Sequence, residues 1–484
     1  MGRSTTIVWP VMLLGMLLSW PTIGVAQQAA AMGPLARQYV AHDAPVIALR
    51  NVRVVDGTGA AARDGQTVVF SGGRITAMGG EVAIPPGAEV LDLPGHTVVP
   101  GLVMLHEHLF YPTGRRQPGL FSYVSQNFSF PKLYLAFGVT TLRTAGTIAP
   151  YVDLNAKHAI DQGQEAGPLI YLTSPFLDRP GYPIPHFKHI DSPEAARRAV
   201  RYWADEGFTW FKAYTFVTRE DLGAIIDEAH RLGHRVTAHL CSVTHSEAAA
   251  LGIDGLEHGL LTNTEFVPEK KPDLCPGENR VYETAATLDL SKPAVLNGIN
   301  NLVRRGIPMT STLPIWETMV PGRMVPSGVL EALSPELRDD YLFIQQHLAR
   351  DTSARFADAF RTALAWERAF VRAGGTLGAG SDPTGYGGTI AGYGNVRQLE
   401  LLVEAGFTPI EALTIGTRNG ARILGIDSQV GTLEIGKRAD AVVVRGNPAD
   451  RIGDMGNPVL VFRDGIAYDS AKLIAATRGL VGRF

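Results

Sequence analysis

Residues 100–108 read Pro100-Gly101-Leu102-Val103-Met104-Leu105-His106-Glu107-His108. An apolar run closes on two histidines two positions apart. Alternate residues of a strand face the same way, so His106 and His108 share a side and can share one metal ion. A buried strand that ends in such residues fits a parallel α/β architecture with its chemistry at the strands' carboxyl ends.

Working outward, the chain alternates short apolar runs with helical patterns. Eight strand candidates fall at 98–104, 139–143, 169–173, 210–212, 236–239, 255–257, 308–312 and 376–379. Helix starts stand between them. Asp191-Ser192-Pro193-Glu194 and Thr218-Arg219-Glu220-Asp221 carry capping signals, and Thr408-Pro409-Ile410-Glu411 opens a helix after the eighth strand. Eight such units predict an α/β fold, a (β/α)8 TIM barrel over 101–425. Two long inserts, 261–290 and 316–353, follow strands six and seven, on the active-site face as a candidate lid.

Both ends are strand-rich. Strands are expected at 46–55, 67–71, 74–78, 89–93 and 96–99, and again at 431–433, 441–445 and 459–468. Gly72-Gly73 and Arg463-Asp464-Gly465 read as hairpin turns. The two ends are expected to pair into a flanking β-sandwich built from 45–100 plus 426–470.

Composition narrows the function. Of 484 residues, 45% are hydrophobic and 19% charged, with a net charge of −3 and no long basic run. Electrostatic nucleic-acid binding is therefore not expected. The 53 glycines and 31 prolines fall short of a low-complexity chain. Residues 1–26 read as a signal peptide: Arg3, an uncharged stretch from Ile7, and Gly24-Val25-Ala26 before the cut. A retained anchor is the rival reading, opposed by Pro10 and Pro21. The expectation is a periplasmic or secreted protein with no membrane attachment after cleavage. Cys241 and Cys275 would then meet an oxidising compartment, either as one disulfide or as two buried thiols.

Four further polar residues close predicted strands: Lys212, His239, His258 and Asp382. With His106 and His108 they make a ligand set for divalent metal. Lys212 is the odd member, because an ammonium only donates and is costly beside Trp210 and Phe211. Conversion to a carbamate removes both difficulties and supplies anionic oxygens able to bridge two metals.

These motifs resemble the amidohydrolase superfamily, near its imidazolonepropionase-like and Xaa-Pro-dipeptidase-like members. The resemblance runs from about residue 45 to 470. It rests on the 100–108 stretch, Gly138-Val139-Thr140-Thr141-Leu142-Arg143, Phe211-Lys212-Ala213-Tyr214 and Ala238-His239-Leu240. Leu256-Glu257-His258-Gly259, Ala379-Gly380-Ser381-Asp382 and Gly436-Lys437-Arg438-Ala439-Asp440 continue it. Thr144 departs from the pattern, since relatives often carry Asp there.

The resemblance implies that His106, His108 and Asp382 hold one metal, that His239 and His258 hold a second, and that N-carboxylated Lys212 bridges them. Two divalent ions, zinc first and manganese or cobalt next, would acidify a bridging water to hydroxide for attack on the carbonyl. Asp382 would take its proton and pass it to the leaving amine.

Tyr214, His186 and Arg143 are candidate substrate contacts. For Arg143 a structural ion pair is the competing reading, and for Tyr214 simple packing. His189 could also touch substrate, His245 begins a helix without an assigned role, and thiolate ligation by Cys241 is a minor reading. The expected activity is hydrolysis of an amide, in dipeptides or N-acyl amino acids, on a small-molecule substrate, in a homo-oligomer. Alternatives are a lactone, carbamate or phosphoester on the same site, a xenobiotic or mycotoxin amide, a mononuclear cyclic-amide hydrolase or deaminase, and a non-catalytic binding protein. Deaminases of the superfamily usually place Glu where this chain has Ser242.

Overall fold

A computed structural model describes residues 31–114, 122–181, 186–351, 353–385 and 387–483. The expected signal peptide lies outside the described residues. None of the described helices is long and apolar enough to cross a membrane.

The centre is a TIM-barrel-type α/β fold. Strand one (Leu102–Glu107) pairs in parallel with strand two (Val139–Thr144), which pairs with Leu169–Tyr171. A second parallel sheet carries Thr173–Asp178, Trp210–Ala213, Arg235–Ala238, Gly255–Glu257, Met309–Ser311 and Leu377–Ala379 as strands three to eight. Ladder pairing does not run unbroken around the ring. The two sheets meet where the Thr173 N–H donates to Thr144 Oγ1 at 2.8 Å, and where the Asp382 N–H donates to the His106 carbonyl at 2.9 Å. Thr144 thus joins strands two and three.

The helix starts follow their capping residues. Ser192 Oγ accepts from the Ala195 N–H ahead of Pro193–Asp205. Thr218 with Asp221, and Thr408 with Glu411, form reciprocal capping boxes. Each satisfies backbone donors that a helix start leaves unpaired.

Both chain ends meet in one nine-stranded sheet. In it His96–Pro100 pairs antiparallel with Ala441–Arg445, and Val46–Val54 lies on the other side of His96–Pro100. Phe70, Val98, Val443 and Phe462 belong to its own apolar core. Two expectations are corrected here. Residues 431–433 form no strand. The single strand expected over 98–104 is two: His96–Pro100 stays in the terminal sheet, and Leu102–Glu107 enters the barrel. Gly101 makes the crossing, because a Cβ there would lie 2.1 Å from Thr140 Oγ1.

The insert after strand six holds the helix Glu278–Thr287. The insert after strand seven begins at the helix Leu313–Glu317 and carries Ser327–Ala332 and Pro335–Leu348. Cys241 and Cys275 are joined in a disulfide with Cα atoms 4.8 Å apart, so the two-buried-thiols and thiolate-ligand readings fall.

Candidate metal centre

Strand ends bring the predicted ligands together. His106, His108 and Asp382 offer ligand atoms that all lie within 4.8 Å of one another. His108 Nε2 is 3.2 Å from Asp382 Oδ1, and His106 Nε2 is 3.6 Å from Asp382 Oδ2. The His258 ring stands 4.4 Å from that of His106 and 4.5 Å from that of His239. His239 and His258 are thus neighbours.

The outer nitrogens fix the tautomers. His108 Nδ1 is 3.2 Å from the Gly146 carbonyl, which can only accept. His106 Nδ1 is 2.8 Å from Glu257 Oε2. Both rings therefore carry hydrogen on Nδ1 and present Nε2 to Asp382. His258 Nδ1 lies 2.8 Å from Thr312 Oγ1. Burial lowers the imidazoles, His106 to about 4 and His239 to about 3, despite nearby carboxylates. They are neutral at pH 7, as metal ligands must be.

Burial alone would raise the Asp382 carboxyl, but its surroundings outweigh that and hold it ionised, with the Thr384 hydroxyl donating to Oδ1 at 2.9 Å. Its backbone φ is +48°, and that of His258 is +68°. Two ligand-type side chains thus sit on backbone that non-glycine residues seldom adopt, and such strain collects at working sites. The close approach of Gly380 maintains the geometry: a Cβ there would lie 2.6 Å from the His106 backbone nitrogen.

Lys212 is 1% exposed, and its Nζ has no hydrogen-bond partner among the described residues. Burial lowers its ammonium to about 8. A bare lysine leaves this position unsatisfied. The donor set therefore fits divalent metal: neutral imidazoles, an ionised carboxylate and an orphaned amine at the end of strand four.

Two carboxylates escaped the sequence reading. Glu257 accepts from Arg143 and Thr237 as well as His106. Glu107 accepts from the Ser381 N–H at 2.9 Å and from Asn395 Nδ2 at 2.7 Å, so it ties the His106–His108 segment to the residue before Asp382. Burial raises Glu107 to about 7 against those bonds. The only sequence signal for either was its place beside a histidine.

The substrate candidates separate. Arg143 is shut in the ion pair with Glu257, donates from Nε to the Leu105 carbonyl at 2.9 Å and lies over the Trp210 ring. These contacts are those of the structural ion pair, one of its two readings. Tyr214 lies 4.7 Å ring to ring from His239, and His186 packs 6.0 Å from Tyr123. His189 is exposed, and His245 is buried at the start of the helix His245–Leu251.

The Amidohydrolase family model matches residues 97–467. The chain belongs to the amidohydrolase family, a class of metal-dependent hydrolases acting on C–N bonds. A Bifidobacterium longum protein assigned as a prolidase is 26% identical, with a TM-score of 0.63 over 89% of this chain and 98% of that one. A Xaa-Pro dipeptidase with bound methionine shares the fold at 20% identity, with a TM-score of 0.64 over 88% of this chain and 100% of that one. The N-substituted formamide deformylase of Arthrobacter pascens is 49% identical over 63 residues, 12% of this chain and 11% of that protein. The chain matches its curated relatives over only 11% to 27% of their length.

Proposed function

We propose that this protein is an exported, binuclear metal-dependent hydrolase that cleaves an amide bond in a dipeptide or an N-acyl amino acid. The observation that carries this reading is Lys212, whose buried Nζ has no partner among the described residues and whose charge is felt by His239 and His258. Carbon dioxide adding to its neutral amine gives a carbamate and releases one proton. That group would bridge one metal held by His106, His108 and Asp382 and another held by His239 and His258, with zinc suited to such donors. When bound, the metals supply an acidified water and a polarised carbonyl.

The chain's own residues do the rest. Ionised Asp382 accepts the proton of the attacking water at a carboxylate oxygen and returns it to the leaving amine nitrogen. Glu257 and the Gly146 carbonyl hold His106 and His108 in the required tautomer. The Cys241–Cys275 disulfide and the apolar leader support export to an oxidising compartment.

Metal content by plasma mass spectrometry, on wild type and Lys212→Ala, tests the reading alongside a dipeptide and N-acyl-amino-acid panel. About two metals per chain, fewer in the variant, with amide cleavage lost, is the expected result. One metal, unchanged by the substitution, removes the bridge. Two metals without amide turnover redirects the site to lactones or phosphoesters.

A further inference from the structure

Beside the histidine set lies a small apolar cluster separate from the main core: Phe110, Phe176 and Phe187, with Tyr123 and Tyr214 packed against it. Its members come from strand ends and the loops that follow them, the face where this fold receives substrate. Phe110 and Tyr123 sit on a two-stranded ribbon, Phe110–Thr113 with Ser122–Ser125, just past His108. Phe176 is on strand three, and Tyr214 directly follows strand four.

The rings abut the ligand-type imidazoles. Phe110 is 4.4 Å and Phe176 6.1 Å from His108, ring to ring, and Tyr214 is 4.7 Å from His239. Phe187 stacks on Phe176 at 4.7 Å and meets Tyr214 edge-on at 4.8 Å. One polar group points to a ligand here. His186 packs against Tyr123, and its Nδ1 is buried with no hydrogen-bond partner among the described residues. Aromatic walls with a few placed polar atoms are the usual make-up of a small-molecule subsite. Arg143, the guanidinium able to recognise a substrate carboxylate, is committed to Glu257 instead.

We propose that these rings form the subsite for a flat aromatic group of the substrate, on the His108–His239 edge, with His186 hydrogen-bonding a polar substituent of that group. This rests on the amide-hydrolase reading for the reaction, and it names the substrate class as an aromatic amide rather than an aliphatic dipeptide.

The test uses the metal-loaded full protein. Turnover of N-2-naphthoylglycine is compared with that of N-hexanoylglycine, and calorimetric binding of 2-naphthamide with that of hexanamide. Both ratios are expected to favour the aromatic probe by about tenfold or more. Phe187→Ala, and Phe187→Leu, which keeps bulk but no ring, should reduce the preference about tenfold. His186→Ala should weaken 6-hydroxy-2-naphthamide more than 2-naphthamide. Equal binding of aromatic and aliphatic probes overturns the subsite, as does a preference that survives both Phe187 variants. Selective binding without cleavage of either amide leaves the subsite standing and overturns the reaction assigned to it.

Discussion

His106 Nδ1 and Glu257 Oε2 stand 2.8 Å apart, with both side chains closed to solvent. The carboxylate sets which nitrogen of His106 carries hydrogen, and so which faces the metal. Burial would raise Glu257, but Arg143, His106 and Lys212 outweigh it and keep it well below the usual carboxylate range.

Glu257→Gln should therefore weaken metal binding about 10–100-fold, the effect of losing a partner behind a ligating histidine. Competition against a chelator reads it directly. Unchanged affinity would show that the ring holds its tautomer without the carboxylate.

Arg143→Ala removes the cation that pairs with Glu257. An uncompensated buried carboxylate costs about 3–5 kcal/mol, so urea unfolding should shift by that order. A raised KM for carboxylate-bearing substrates, with stability intact, would return Arg143 to substrate binding.

Gly380→Ala places a Cβ 2.6 Å from the His106 backbone nitrogen. Strand eight must move away from strand one, at about 1–3 kcal/mol for overpacking. Asp382, two residues on, should then lose register with His106 and His108. The expected outcome is a metal-depleted protein that remains folded by circular dichroism.

Glu367, packed against the residue after His258, gives a pH signature of its own. Burial raises it to about 8, with Ser311 Oγ donating to it at 2.7 Å. Its folded pKa exceeds its unfolded one, so its contribution is full below about pH 4.5 and is lost as pH rises toward 8. Stability should fall by up to about 1.4 kcal/mol per pH unit across that window from this group. Glu367→Gln should flatten the fall, as read by urea midpoints from pH 5 to 8. A slope identical to wild type would show that Glu367 is not protonated in the folded protein.

Breaking the Cys241–Cys275 bond releases a sequence separation of 34 residues. Chain entropy puts the loss at up to about 4 kcal/mol. Cys275→Ser should lower the unfolding midpoint, and intact-mass analysis of wild type should show a gain of about 2 Da on reduction, one hydrogen for each sulfur. No mass change would mean the thiols are free in solution.

What the sequence made legible was local. His106, His108, Lys212, His239, His258 and Asp382 each close a strand, and the alternation along one strand is enough to place them on one end of the fold. Glu107 and Glu257 were hidden because their partners are remote: Ser381 is 274 residues from Glu107, and Arg143 is 114 residues from Glu257. The break at Gly101 was hidden for the same reason. Residues 98–104 are uniformly apolar apart from Gly101, and only Thr140, on another strand, requires the change of sheet. Arg143 showed its charge in the sequence, but only the fold shows which carboxylate claims it.

The nine-stranded sheet has a temporal consequence. Thr97 Oγ1 donates to the Gly446 carbonyl across 349 residues, and the strand His96–Pro100 has its outer neighbour, Ala441–Arg445, on the far side of the whole barrel segment. During synthesis the N-terminal strands emerge early and wait with an open edge until the last strands arrive. The sheet closes like a clasp only when Ala441–Arg445 reaches the waiting strand. A product truncated before Ala441 would keep that edge exposed to any other chain with a strand to offer.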